Sequence, residues 1–200
     1  VIFTAGCNLR CPFCHNPESF EQEKGQLYTP EGLFKKILRY KSYISSGGVT
    51  LSGGEPFLQA QFCLGLIKLL KSEGIHTAVQ TNCHITDERL IAAADLIIAD
   101  IKNQSGEIPR ETLRFLDACK RLDAPVLLTN VLIKGINDGD KSLSELKGLL
   151  AYPNVTGIRI LPFKKLCAEK YRRLGMAFPY AHIEETPDAY AREVERKLRS

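Results

Sequence analysis

Short runs of Val, Ile, Leu and Thr alternate along the chain with longer stretches in which apolar residues recur every three or four positions. The short runs have the composition of parallel strands buried on both faces, and the longer ones the period of helices that cover them. Six strands are expected: Val1 to Ala5, Gly48 to Ser52, His76 to Thr81, Asp95 to Ile101, Val126 to Ile133 and Val155 to Leu161. Thr29-Pro30, Thr86-Asp87 and Thr186-Pro187 each set an N-cap threonine before a residue suited to a first helical turn. From Leu58 onward, Phe62, Leu66, Leu69 and Leu70 fall on one face, and Tyr190, Val194 and Leu198 repeat every four residues. Both stripes read as core packing. Six such strand and helix units predict an α/β fold, a partial (β/α)6 TIM-like barrel or its closed form, with a doubly wound sheet as the alternative.

Composition narrows the class without naming a chemistry. Two hundred residues with 44% hydrophobic and 25% charged side chains suit one soluble domain spanning residues 1–200. A net charge of +4 does not imply nucleic acid. The apolar stretch from Ala92 to Ala99 is interrupted by Asp95 and followed by Asp100, far short of a bilayer span, so no membrane segment is expected. The chain opens on Val1 rather than Met, with no basic, apolar and small-residue series at its start, so a few native residues are expected to precede it. Seven cysteines is an odd number, and three of them lie within eight residues. That pattern fits a metal site in a reducing compartment, the cytoplasm, better than a disulfide framework. A monomer is expected.

Three stretches carry candidate chemistry. Cys7, Cys11 and Cys14 are spaced C-x3-C-x2-C directly after the first strand. A loop this tight can bring three thiolates to one metal centre, and a four-iron cluster held by three rather than four thiolates keeps one iron open to an outside ligand. The alternative is a closed zinc site completed by His15, although that ring follows Cys14 immediately and is poorly placed to share its centre. Cys63 and Cys119 fall in helical stretches among apolar neighbours, where a thiol is ordinarily inert packing. The second stretch, Gly47 to Pro56, ends in Ser52-Gly53-Gly54-Glu55. Paired glycines let backbone approach a ligand closely, and Glu55 is suited to accept hydrogen bonds from an ammonium group. The third is Asp100-Ile101-Lys102, whose charged side chains point to one face at i and i+2. In a barrel, the cysteine loop, Glu55, Gln80 and Asp100 would all fall on the rim at the carboxyl ends of the strands, where such folds place their sites.

At these residues the sequence resembles the radical S-adenosylmethionine superfamily and, more narrowly, its glycyl-radical-enzyme activating enzymes. The similarity runs nearly end to end and is most specific at Gly6 to Pro17, Gly47 to Gln59, Asp95 to Lys102 and Ile158 to Gly175. The resemblance implies a [4Fe-4S] cluster on Cys7, Cys11 and Cys14, with the open iron chelating the amino and carboxylate groups of S-adenosylmethionine. It implies that Phe13 contacts adenine through its backbone. Ser52, Gly53, Gly54 and Glu55 would hold the methionine end, and Asp100 and Lys102 would complete the amino-acid and ribose contacts. An electron from flavodoxin or ferredoxin would cleave the cofactor, and the 5′-deoxyadenosyl radical would take a hydrogen from a glycine of a glycyl radical enzyme such as pyruvate formate-lyase. Anaerobic ribonucleotide reductase, or a small molecule, is the alternative substrate. A zinc-stabilised binding module without catalysis is the reading from another class.

The sequence also departs from the family pattern. Gln80-Thr81-Asn82-Cys83 stands where such enzymes often carry Asp-Thr-Asn-Gly, which speaks against a monovalent-cation site using that carboxylate. Lys164 stands near a position often held by His, and Thr129 near one expected to be Arg. No cysteine lies between Cys14 and Thr29, so the ferredoxin-like insertion of many relatives is absent, which favours the shorter, pyruvate formate-lyase type. Lys164, Lys165, Lys170, Arg172 and Arg173 form a basic group that is expected to dock an acidic flavodoxin.

Overall fold

A computed structural model of the chain describes residues 1–103 and 106–200. Six strands, β1 (Ile2–Thr4), β2 (Val49–Gly53), β3 (Thr77–Thr81), β4 (Leu96–Asp100), β5 (Val126–Leu132) and β6 (Val155–Pro162), agree with the expected segments to within a residue or so at each end. They pair in the order β1-β2-β3-β4-β5-β6, every pair parallel. A doubly wound sheet reverses its strand order at a switch point, whereas this one never does. The sheet is therefore a partial barrel that has six of the usual eight strands and stays open between β1 and β6.

Among the described residues, eight α-helices connect and flank the strands: α1 (Pro30–Leu38), α2 (Lys41–Ile44), α3 (Ala60–Ser72), α4 (Glu88–Ala93), α5 (Arg110–Arg121), α6 (Asp140–Leu149), α7 (Ala168–Arg173) and α8 (Asp188–Arg199). Alternation along the strands divides their side chains between two faces. Val49, Leu51, Val79, Ile97, Ala99, Val126, Leu128, Ile158 and Ile160 point outward into the main core, which they share with Cys63, Leu66, Ile67 and Leu70 of α3, Phe115 and Cys119 of α5, and Val194 and Leu198 of α8. Cys63 and Cys119 are fully buried there, as packing residues should be. The residues between them face the barrel interior, where Phe3 and Leu161 on the two edge strands remain exposed.

Helix starts follow the expected segments but not always the expected cap. Thr29 caps α1 as predicted, its hydroxyl accepting from the Gly32 amide at 3.1 Å, with Pro30 in the first turn. For α4 the cap is Asp87 rather than Thr86, and its carboxylate accepts from the Arg89 and Leu90 amides. A carboxylate favours the positive end of the helix dipole, which a hydroxyl cannot match. Thr186 is drawn away from α8 altogether: it is buried, and its hydroxyl donates to the Leu132 carbonyl at 2.8 Å, fastening the last helix to the end of β5.

Candidate active site

A cavity of about 400 Å3 opens at the carboxyl ends of the strands. Cys7, Cys11, Phe13 and Cys14 of the loop after β1 line one side, and Ser52, Gly53, Gly54, Gln80, Asn82, Asp100 and Lys102 line the other. Of the residues that the resemblance assigns to the cluster and the cofactor, Glu55 is the one missing from this lining.

The cysteine loop is held by backbone. Gly6 enters it at φ +95°, a left-handed conformation open to glycine, and its amide donates to the Ser19 carbonyl at 2.8 Å. The Cys14 amide donates to the Cys11 carbonyl at 3.0 Å, closing a turn that brings the second and third thiols to the same side. Amides also point at sulfur: Leu9 N–H lies 3.5 Å from Cys7 Sγ and Asn16 N–H 3.4 Å from Cys14 Sγ. Burial pushes the Cys14 thiol up to about 11, the Asn16 amide pulls it back, and Cys11 adds to the rise. Such a thiol binds metal by giving up its proton. The His15 ring turns away from the sulfurs, its Nε2 lying 2.9 Å from the Lys164 carbonyl oxygen. Among the described residues, no three His, Cys, Asp or Glu side chains converge on the position of a single ion. His15, held on the Lys164 carbonyl, is not brought together with the three thiols as a closed Cys3His zinc site would need. Three thiols that face one cavity without meeting at a point fit a group larger than one ion, as a four-iron cluster is.

The glycine pair has a use beyond the one expected. Gly53 stands at φ +109°, and a side chain there would strike the Thr4 backbone; one on Gly54 would strike the Gly6 carbonyl. The close approach they permit is therefore between β2 and the start of the cysteine loop as well as toward the cavity. The Gly54 amide donates to the Thr4 carbonyl and the Glu55 amide to the Gly6 carbonyl, each at 2.8 Å.

Glu55 is fully buried behind this wall. Its Oε1 accepts from the Phe57 amide at 3.1 Å and the Thr81 hydroxyl at 2.8 Å, and its Oε2 from the Asn82 amide at 2.8 Å. Burial pushes its pKa up, while those three donors favour the ionised form. In this structure, then, the carboxylate is held by donors of the protein itself and braces the site from behind. What it braces is Asn82, whose Nδ2 donates to Asn8 Oδ1 at 2.8 Å and lies 3.9 Å from Cys7 Sγ. Sequence reading passed over Asn82 as a site residue. Its signal is its place just past the end of β3, the strand end that also carries Gln80. The next residue, Cys83, holds φ 64°, which suits the glycine often found at this position in the family.

Just past β4, Lys102 Nζ pairs with Asp100 Oδ2 at 2.7 Å and sits 5.3 Å from the centre of the Phe13 ring. Burial pulls the Lys102 ammonium down, but Asp100 and the Cys11 and Cys14 thiols outweigh it and hold its pKa above the ordinary value. The other Asp100 oxygen, Oδ1, is buried without a hydrogen-bond partner, and so is the hydroxyl of Thr129, its neighbour in register on β5. A buried acceptor left unpaired costs roughly 1–3 kcal/mol unless something donates to it. Asp100 lines the cavity, and its unpartnered oxygen fits a ligand that brings a hydrogen-bond donor there; Thr129 lies outside the lining. Gln80 accepts from the Ser52 hydroxyl at 2.9 Å, so its amide is fixed in the same lining.

The basic group near the C-terminus does not present free cations. Lys164 pairs with Asp188 at 2.7 Å, Lys165 donates to the Ala181 carbonyl, and Arg172 and Arg173 both engage Glu169. Lys170 bonds to the segment after Cys14. The basic group expected to dock an acidic flavodoxin is thus paired largely within the chain.

Comparison with known proteins agrees with this geometry. The family model described as the Radical SAM superfamily matches residues 1–146, and the chain belongs to that superfamily. Within it, the chain is 32% identical over 212 residues to the pyruvate formate-lyase-activating enzyme of Clostridium pasteurianum, covering all of this chain and 89% of that protein. It is 33% identical over 217 residues to the enzyme of the same name from Staphylococcus epidermidis, covering 98% and 86%. Among solved structures, Streptococcus suis SuiB bound to S-adenosylmethionine shares the fold with a TM-score of 0.74 at 15% identity, over 99% of this chain and 46% of that one. A domain of a pyruvate-formate lyase-activating enzyme from Bacteroides vulgatus does so with a TM-score of 0.55 at 21% identity, over 76% and 92%. No described helix is long and apolar enough to cross a membrane.

Proposed function

We propose that the chain is an activating enzyme that generates a glycyl radical on a partner enzyme of the pyruvate formate-lyase kind. The observation that carries this reading is a single cavity shared by Cys7, Cys11 and Cys14 with the unpartnered oxygen of Asp100. The names of its full-length relatives support the choice of protein substrate. In this reading the three cysteines hold a [4Fe-4S] cluster and the facing wall holds S-adenosylmethionine. When bound, these groups supply reductive cleavage of the sulfonium, with flavodoxin or ferredoxin as the electron source, and a 5′-deoxyadenosyl radical that takes hydrogen from the partner's glycine.

The chain's own residues bind, orient and shield. Asp100 Oδ1 accepts from the cofactor's amino-acid or ribose donors, while Oδ2 keeps Lys102 in place. Lys102, partly buried and held by Asp100, offers a fixed positive charge to a carboxylate of the ligand. Ser52, Gly53 and Gly54 present backbone where no side chain intrudes, and the Phe13 backbone is available to adenine. The walls limit access of water to a radical formed between them. The proposal places the enzyme in the cytoplasm.

Asp100→Asn is expected to raise the dissociation constant for S-adenosylmethionine about ten-fold, since a charged hydrogen bond is worth roughly 1.5–3 kcal/mol, and to leave iron content unchanged. Equilibrium binding to the anaerobically reconstituted protein checks this, and undiminished affinity would remove Asp100 from the site. The function itself is tested by electron paramagnetic resonance of the reduced, reconstituted protein mixed with S-adenosylmethionine and pyruvate formate-lyase. A glycyl radical doublet that needs all three components is the expected result. Cofactor cleavage with no doublet on any glycyl radical enzyme would overturn the choice of substrate.

A further inference from the structure

We infer that Lys170 is a positioning residue for the cysteine loop, not a surface charge for a partner. Its ammonium has three donors and no acceptor, and all three meet one short segment just beyond Cys14. Nζ donates to the His15 carbonyl at 2.9 Å, to Asn16 Oδ1 at 3.0 Å and to Glu18 Oε1 at 2.6 Å. An ordinary exposed ion pair engages one partner and contributes little. This one joins a backbone carbonyl, an amide and a carboxylate into a single tripod.

Asn16 transmits the effect. While its side-chain oxygen accepts from Lys170, its backbone amide donates to Cys14 Sγ at 3.4 Å. Its carbonyl accepts from both the amide and the hydroxyl of Ser19, whose own carbonyl receives the Gly6 amide at the loop's entrance. Fixing Asn16 therefore fixes the direction of a hydrogen bond to the third thiol and both ends of the loop. Lys170 is itself held on a firm element. Its neighbour Tyr171 is 2% exposed and packs on Phe178 with ring centres 5.0 Å apart. From the same C-terminal segment the Lys164 carbonyl meets the His15 ring, giving the loop a second tie.

The inference depends, for its functional consequence, on Cys7, Cys11 and Cys14 being cluster ligands, so its test has one arm that needs no metal. In metal-free protein, Lys170→Gln is expected to speed hydrogen exchange of amides in residues 14–19 about five-fold, as loss of a few charge-assisted hydrogen bonds in a half-exposed place should. Lys141→Gln, which removes a remote surface pair with Glu107, serves as the control and is expected to change nothing there. In reconstituted protein, Lys170→Gln is expected to lose iron to a chelator about five-fold faster than the parent and the control, with unchanged melting temperature of the metal-free form. Glu18→Gln, which keeps the two neutral acceptors, is expected to fall between. Exchange at 14–19 that is unchanged, or equally fast in the control, would overturn the inference. Failure of the parent to take up iron and sulfide would overturn the ligand reading instead, and the exchange arm would still decide the role of Lys170.

Discussion

Cys11→Ala is expected to abolish iron retention and with it all cleavage of S-adenosylmethionine. With one thiol gone, two remain to hold a cluster that already uses one ligand fewer than the four of ferredoxin-type sites. No neighbour is placed to substitute. His15 is committed to the Lys164 carbonyl, Glu55 is sealed behind the wall by three donors, and Cys83 is fully buried on the far side of Asn82. Cys119→Ala supplies the contrast, because Cys119 is equally a buried cysteine but sits in α5 within the main core. It is expected to cost on the order of 1 kcal/mol of packing and to leave iron and cleavage untouched. Iron and acid-labile sulfide analysis of both variants, followed by product analysis under dithionite, separates them. A Cys11→Ala protein that still cleaves the cofactor would remove this cysteine from the centre.

Much of this site was legible because strand geometry transmits it. Asp100 and Lys102 were expected to share a face from their i, i+2 spacing, and the continuous extended backbone through β4 keeps that alternation intact up to the rim. The same rule fails at the last residue of β2. Gly53 takes a positive φ, the chain changes direction, and counting alternate positions no longer says that Glu55 turns inward behind the wall. Residue type pointed to a carboxylate near the site, which is correct; its orientation was set by close packing of two glycines against Thr4 and Gly6, a tertiary fact. Lys170 shows the other limit. A run of basic residues looks like a solvent-facing patch until partners 152 to 155 positions earlier in the chain are brought beside it. Asn82 meets the same limit: its place in Gln80-Thr81-Asn82-Cys83 is legible, but that its amide ties the end of β3 to Asn8 depends on a partner 74 positions earlier in the chain.

Glu55→Gln is expected to destabilise the fold, and cofactor affinity is expected to fall only as far as the cluster loop is disturbed. In one orientation the new amide keeps an oxygen for Phe57 N–H and the Thr81 hydroxyl but sets its NH2 against the Asn82 amide, so two donors face each other. Flipped, it satisfies Asn82, and the Thr81 hydroxyl can rotate to accept, yet the Phe57 amide is left without an acceptor. Either way one backbone N–H is stranded in a place closed to water, at a cost of about 2 kcal/mol. For a chain of this length that lowers the melting temperature by roughly 4–8 °C. The disturbance also has a direction. Released from Oε2, Asn82 no longer holds its side chain on Asn8 and beside Cys7 Sγ, so iron content should fall with stability. Thermal denaturation of the metal-free protein makes the decision, because a contact to the cofactor contributes nothing there. A melting temperature equal to that of the parent, together with weaker binding of S-adenosylmethionine at full iron content, would mean that the carboxylate reaches the ligand after all. A lowered melting temperature with affinity tracking iron content would fix Glu55 as the brace on which the cysteine loop rests.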